Sequence, residues 1–162
     1  MTLAEGIAIR NQHMPPCDYP PGLAIDRGGY WFFPNPTPWV GLQGFILSKD
    51  GAHQICVGSG LNSEMAFWAY EKGILQGPCD LIITACPDDL DIVVDILTKT
   101  GPAQRGLKIP NRGREKFYHL LSHLPAVFFS QQDLSFYVSE LMEAEQNGTF
   151  SFVIRPWPGR ES

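Results

Sequence analysis

The chain has 162 residues, a net charge of −5 and a hydrophobic content of 44%. This length suits one domain with a full hydrophobic core, and the acidic balance argues against general affinity for nucleic acid. We expect no secretory signal and no membrane anchor, because the chain lacks a basic, apolar leader and any long apolar run. Its four irregularly spaced cysteines predict a cytoplasmic protein with free thiols.

The first part of the chain is rich in proline. Seven of the fourteen prolines lie within the first 38 residues, and such density opposes long helices and central strands. We therefore predict an irregular lead-in over residues 1–29, with one short edge strand near Ile7–Arg10. The aromatic run Tyr30–Phe33 predicts a buried strand, followed by an extended connector over Pro34–Pro38.

The next stretch predicts a hairpin that leads into a helix. Val40–Ser48 and His53–Gly58 have the composition of strands, and Lys49-Asp50-Gly51 between them supplies turn residues. A helix is expected from about Asn62 to Ile74, with Asn62 or Ser63 as its cap.

The second half of the chain alternates strand and helix patterns. Asp80–Ala85 predicts an interior strand. Cys86-Pro87 then predicts a helix start, because proline is favoured at the first helical position. A flexible basic loop is predicted over residues 101–113, followed by a helix at Arg114–Ser122 and a strand at Ala126–Phe129. The next predicted helix starts with a capping pattern at Ser130–Asp133 and ends at Asn147. A strand at Phe150–Arg155 and a tail over residues 156–162 complete the chain.

These elements predict a single α+β domain over residues 1–162. The expected core is one mixed, mostly antiparallel sheet of about five or six strands. Three or four helices are expected to pack mainly on one of its faces.

Cys86 is the candidate catalytic residue. It follows a strand and is expected at a helix N-terminus, where free backbone N–H groups favour a thiolate. Asp88 and Asp89 in the same turn oppose that charge, and no histidine lies beside it in sequence. The alternative is a small buried apolar residue.

His119 and His123 are the candidate metal ligands. They stand four residues apart on a predicted helix and therefore share one face. A structural metal site needs three or four ligands, so His13 and Cys17 would have to join them. The alternative is two surface histidines near a helix C-terminus. No cofactor motif is present and no cofactor is expected.

The segment 99–116 is the strongest indication of an interaction. It holds six of the twelve cations and a single anion, and Arg105, Lys108, Arg112 and Arg114 are its candidate binding residues. Such a loop suits an acidic protein partner, whereas its scarcity of aromatics disfavours single-stranded nucleic acid. A soluble loop without a partner is the alternative.

Two other patterns have structural explanations. Gly58-Ser59-Gly60 precedes a helix but lacks the lysine of a phosphate-binding loop, so a tight turn is favoured. Asp88, Asp89, Asp91 and Asp95 are best explained as the solvated face of an amphipathic helix, and the alternative is a site for a hard metal ion.

The aromatic strand Tyr30–Phe33, the hairpin Gly44–Gly51 and the turn Val57–Gly60 before a helix resemble small bacterial immunity-protein families of polymorphic toxin systems. The resemblance covers residues 30–75, under a third of the chain. It implies a non-enzymatic bacterial protein that binds another protein, and it transfers no functional residue.

Three functional hypotheses follow. The leading one is a non-enzymatic protein-interaction module, of immunity type, that binds through its aromatic surface or through residues 99–116. The first alternative is a small enzyme or ligand-binding domain with its site near Cys86. The second is a structural subunit of a homo-oligomer, such as a homodimer.

Overall fold

The structure is a computed structural model that describes residues 1–39, 41–99 and 111–157. The chain divides into two compact units, Met1–Ala66 and Phe67–Ser162. The described residues contain five α-helices and two antiparallel sheets. The α+β class is therefore confirmed, whereas the single sheet of five or six strands and the smaller number of helices are wrong.

The first unit contains one helix and a four-stranded sheet. Its strands pair in chain order, each with the next, so the sheet is a series of hairpins. The elements are α1 (Leu3–His13), β1 (Ile25–Asp26), β2 (Tyr30–Trp39), β3 (Leu42–Ser48) and β4 (Gln54–Gly58). The predicted hairpin is confirmed, with Gly51 at a positive φ of 82° in its turn. Helix α2 (Ser63–Glu71) begins in this unit and continues into the second.

Helix α1 corrects the predicted irregular lead-in and its edge strand near Ile7–Arg10. Thr2 and Glu5 form a capping box, in which the Glu5 N–H donates to Thr2 Oγ1 at 3.3 Å and the Thr2 N–H donates to Glu5 Oε2 at 2.7 Å. The prolines begin only at Pro15, after the helix has ended. Their effect on the backbone is local, so they leave residues 3–13 free to be helical.

The proline-rich connector is extended, as predicted, but it belongs to β2. Its register with β3 shifts between Pro34 and Trp39, because prolines cannot donate the hydrogen bonds of a regular ladder. The core of this unit lies where β2 meets β3, and its buried side chains are Met14, Tyr19, Phe33, Phe45 and Leu47.

The second unit contains a three-stranded sheet with β5 (Cys79–Ala85) at its centre. The other elements are α3 (Leu90–Lys99), α4 (Asn111–Leu121), β6 (Ala126–Gln132), α5 (Val138–Asn147) and β7 (Ser151–Pro156). Strands β6 and β7 flank β5 on opposite sides. The interior position predicted for Asp80–Ala85 is confirmed. Among the described residues, β5 pairs with two strands that come later in the chain, and these three strands form a second sheet.

Three predicted boundaries in this unit are wrong. Helix α3 begins at Leu90 and not at Cys86-Pro87, and Asp89 Oδ1 accepts the Asp91 N–H at 3.0 Å at its start. Residues 111–113 belong to α4, whereas the predicted flexible loop included them. The capping pattern at Ser130 does not start a helix, since β6 continues to Gln132 and α5 begins at Val138.

Candidate functional site

One face of the three-stranded sheet carries apolar side chains that are exposed. Leu81 and Ile83 of β5 point to the opposite, inner face and are fully buried. Ile82 between them pairs with Val127 of β6 and with Val153 of β7, so these three residues form one row across the sheet. Val127 is 43% exposed and Val153 is 51% exposed. A row of this kind places an apolar strip on the surface.

Strand β7 extends this strip toward its end. Successive strand residues point to opposite faces, so Arg155 lies on the same face as Val153. The ladder continues beyond β7, because the Trp157 N–H donates to the Pro78 carbonyl at 3.0 Å. Trp157 therefore follows Arg155 on that face, and its side chain is 43% exposed. We refer to Ile82, Val127, Val153, Arg155 and Trp157 as the outer face.

A buried carboxylate lies beside the outer face. Asp80 of β5 is only 4% exposed, and it accepts four hydrogen bonds from three residues. Two come from Arg155, from Nε at 3.1 Å and Nη2 at 2.6 Å. The others come from the Gln131 N–H at 2.9 Å and from Ser130 Oγ at 3.0 Å. These bonds, with Arg155 the largest contributor and the Gln131 N–H next, hold the pKa of Asp80 below its ordinary value against the opposing effect of burial.

Asp80 fixes the orientation of the Arg155 guanidinium. The Arg155 side chain remains 61% exposed, and within the described residues its Nη1 forms no hydrogen bond. A guanidinium held on one edge by a carboxylate has lost much of its rotational freedom before a ligand arrives. It can therefore bind a second carboxylate from solvent, next to apolar side chains that would be buried by the same ligand.

Sequence reasoning missed the outer face. The sequence does contain one indication of it. Val153, Arg155 and Trp157 alternate with Phe152 and Ile154, which is the pattern of a strand with two different faces. The missing information was the order of the strands, because only the pairing of both β6 and β7 with Ile82 brings Val127 and Val153 into one row.

Cys86 does not have the environment expected of a nucleophile. It lies after β5 and four residues before α3, so it is not at a helix N-terminus. The thiol is half-buried, and burial raises its pKa above the ordinary value. This favours the neutral thiol, which is the less reactive form.

The candidate binding residues of segment 99–116 are only partly described. Arg105 and Lys108 lie outside the described residues, as does the side chain of Arg112. Arg114 donates from Nη2 to Asp95 Oδ1 at 2.6 Å and lies 3.8 Å from Asp91 Oδ1. The aspartate face of α3 is thus bound by a cation of the same chain, and Tyr118 also donates to Asp91.

The candidate metal ligands do not form a metal site in the described part of the chain. His119 and His123 have ring centroids 4.9 Å apart, and His123 Nδ1 lies 3.0 Å from the His119 carbonyl oxygen. His13 instead stacks on Phe45. Among the described residues, no three His, Cys, Asp or Glu side chains are grouped closely enough to hold a metal ion.

Two further places have their polar groups occupied by internal partners. In the turn Gly58-Ser59-Gly60, the Ser59 N–H donates to the Gly41 carbonyl, and the N–H of Leu61, two residues further on, donates to the Gly58 carbonyl. An open hollow lies between α1 and the hairpin turn, lined by Glu5, Lys49 and Asp50 among others. Its charged groups bind Thr2, Asp26 and Ser48, respectively. Neither place presents converging free donors to a ligand.

No protein-family model, no curated protein and no solved structure matches this chain. Across the described residues, no helix combines the length and the apolar character needed to cross a membrane.

Proposed function

We propose that the protein is a non-enzymatic interaction module that binds another protein through the outer face. The single observation that carries this proposal is the exposed row Val127–Ile82–Val153 beside the oriented guanidinium of Arg155. Tryptophan and arginine are the residues in which binding energy is most often concentrated at protein interfaces. The outer face has both next to an apolar strip.

The chemistry of this face defines the partner. Val127, Val153 and Trp157 require an apolar surface, because an exposed row is stabilised when water is removed from it. Arg155 requires a carboxylate that can reach its Nη1. The partner is therefore a protein that presents apolar side chains next to an Asp or Glu. This retains the acidic partner expected from the sequence but moves its contact from residues 99–116 to β7.

We further propose that the protein is of immunity type and that it works in a reducing compartment. The four cysteines are free thiols, which supports the cytoplasm as the location. An immunity protein also acts by binding and not by catalysis, which agrees with the environment of Cys86. The resemblance covers residues 30–75, so it concerns the first unit and contributes no residue of the outer face.

Selection from random peptides displayed on phage tests the proposal. We expect wild-type protein to enrich peptides that combine Leu, Trp or Phe with Asp or Glu. Their affinity should fall by about tenfold or more for Val153→Glu and for Trp157→Ser. Ile92→Glu is the matched control, since Ile92 is also exposed but lies on α3.

Two results would overturn the proposal. In the first, the enriched peptides bind Val153→Glu and Trp157→Ser as tightly as wild type. In the second, sedimentation shows a dimer of this chain that Val153→Glu abolishes, which would assign the outer face to a second copy and support the homo-oligomer hypothesis.

A further inference from the structure

Arg10 of α1 is a buried cation in the first unit. Its side chain is only 1% exposed, and its Nε has no hydrogen-bond partner. Nη1 donates to Asn11 Oδ1 at 2.7 Å, to the Pro15 carbonyl at 2.8 Å and to Cys17 Sγ at 3.3 Å. Among the described residues, no carboxylate forms an ion pair with it. A buried charge without an opposite charge is strongly unfavourable.

Tyr19 contacts Arg10 but does not neutralise it. The guanidinium carbon lies 5.1 Å from the centroid of the Tyr19 ring, in a cation–π contact. The Tyr19 hydroxyl donates to the Pro34 carbonyl at 3.0 Å. Burial raises the pKa of Tyr19 to about 12, so the ring carries no charge at neutral pH.

Among the groups that contact Arg10, Cys17 carries the nucleophilic side chain. Asn11 and the Pro15 carbonyl are neutral at every working pH. Asn11 also donates from Nδ2 to the Cys17 carbonyl at 3.0 Å, which fixes the backbone of Cys17 next to the guanidinium. The thiol itself is exposed. An exposed sulfur in contact with a buried cation is the environment in which cysteines react.

We propose that Cys17 is a modification site that forms mixed disulfides with small-molecule disulfides. The ionised sulfur of Cys17 attacks one sulfur of the disulfide, and a new S–S bond forms as the original one breaks. The departing sulfur takes the electron pair and is protonated by water. Cys17 is thereby oxidised and the small disulfide is reduced to one free thiol and one protein-bound half.

The other three cysteines have different surroundings. Cys56 is exposed, but its Sγ lies near a neutral group, the His13 carbonyl oxygen, at 3.8 Å. Cys79 is buried and donates to the Gly77 carbonyl at 3.1 Å. Cys86 is half-buried, and burial raises its pKa and so favours the less reactive neutral thiol. Modification should therefore select Cys17, and Cys56 is its matched internal control.

Oxidised glutathione is the probe for the test. We expect the wild-type protein at pH 7 to form the mixed disulfide at Cys17 at least about tenfold faster than at Cys56, with each site identified by peptide mass. Arg10→Gln keeps a long polar side chain without the charge, and it should lower the rate at Cys17 to that at Cys56. Arg27→Gln, which removes an exposed cation of the same unit, should leave the rate unchanged.

A second measurement does not depend on the folding of Arg10→Gln. In concentrated urea the contact between Arg10 and Cys17 is lost, so the ratio of the two rates in wild-type protein should fall to about one. Equal rates in the folded protein would overturn the proposal. So would a rate ratio that persists in urea, because the selectivity would then come from the local sequence around each cysteine and not from the contact with Arg10.

Discussion

Asp80 and Arg155 lie opposite each other on β5 and β7, and the buried carboxylate binds the exposed guanidinium through two of its nitrogens. The same carboxylate accepts the N–H of Gln131, which has a positive φ of 52° in β6. One side chain on the central strand therefore connects all three strands of the sheet. It links the stability of the second unit to the orientation of the outer face.

Asp80→Asn should reduce the dependence of stability on acid pH. The pKa of Asp80 is lowered in the folded state, so its carboxylate stabilises the protein above the unfolded pKa of about 3.9. That stabilisation is lost as the pH falls from about 5 through the lower, folded pKa. We expect the variant to have a lower Tm at neutral pH and a smaller further fall on acidification, measured by calorimetry.

Asp18→Asn is the control for this experiment, because Asp18 is an exposed carboxylate of the first unit. It should leave the acid dependence close to that of wild type. If Asp80→Asn shows the same fall in Tm with acid as wild type, Asp80 does not carry the stabilisation assigned to it.

A double-mutant cycle on Arg114 and Asp95 tests whether the basic segment is bound within the chain. Hydrogen bonds that Arg114 donates to Tyr118 and to Asp95 raise the pKa of Arg114 above its usual range, so it stays charged at all working pH values. Arg114→Gln and Asp95→Asn should each lower Tm by no more than a few degrees, since exposed ion pairs contribute little. Their effects should be less than additive, and the coupling should weaken in high salt. Additive effects at low salt would indicate that the two side chains do not interact in solution.

Cys86 should react slowly at neutral pH. Burial raises its pKa, so alkylation by iodoacetamide should accelerate at a higher pH than it does at an ordinary thiol. Peptide mass spectrometry over a pH series measures this, with exposed Cys56 as the reference thiol. A rate at Cys86 that is already maximal at neutral pH would restore the hypothesis of an enzyme with Cys86 as nucleophile.

Gly44→Ala should destabilise the first unit by about 1–3 kcal/mol. A Cβ at this position would lie 2.7 Å from the ring of Phe32 and 2.8 Å from the backbone oxygen of Phe33. The backbone cannot move aside without disturbing the pairing of β2 with β3. Gly29→Ala is the control, since its Cβ would have no neighbour within 4 Å. Urea unfolding gives both values, and equal stabilities would show that the sheet absorbs the methyl group.

Local sequence patterns predicted individual helices and hairpins better than they predicted how the strands pair into sheets. The hairpin around Gly51 and the helix capped at Asn62 were predictable, because turn and cap residues act within a few positions of themselves. The Asn62 side chain does accept the Met65 N–H at 2.9 Å. The separation into two sheets was not predictable, because strand pairing depends on partners that are distant in sequence.

The difference between local signals and distant contacts also explains the wrong predictions at α1 and β6. The prolines of residues 15–38 do not act on residues 3–13, where the capping pair Thr2 and Glu5 decides the structure. At Ser130 the capping pattern does not start a helix, because Ser130 Oγ and the Gln131 N–H donate to the buried carboxylate of Asp80, fifty residues away in sequence. These hydrogen bonds hold the segment in β6. The outer face and the contact of Arg10 with Cys17 depend on such long-range or loop geometry and could not be placed from the sequence.

The pairing of the sheet strands also sets an order for folding during synthesis. In the first unit each strand pairs with its neighbour in the chain, so its hairpins can form as soon as they leave the ribosome. Central strand β5 pairs on one side with β7, which is translated about seventy residues later. Until then one edge of β5 is open and Asp80 lacks Arg155. The nascent second unit is therefore exposed to aggregation and to chaperones for longer than the first.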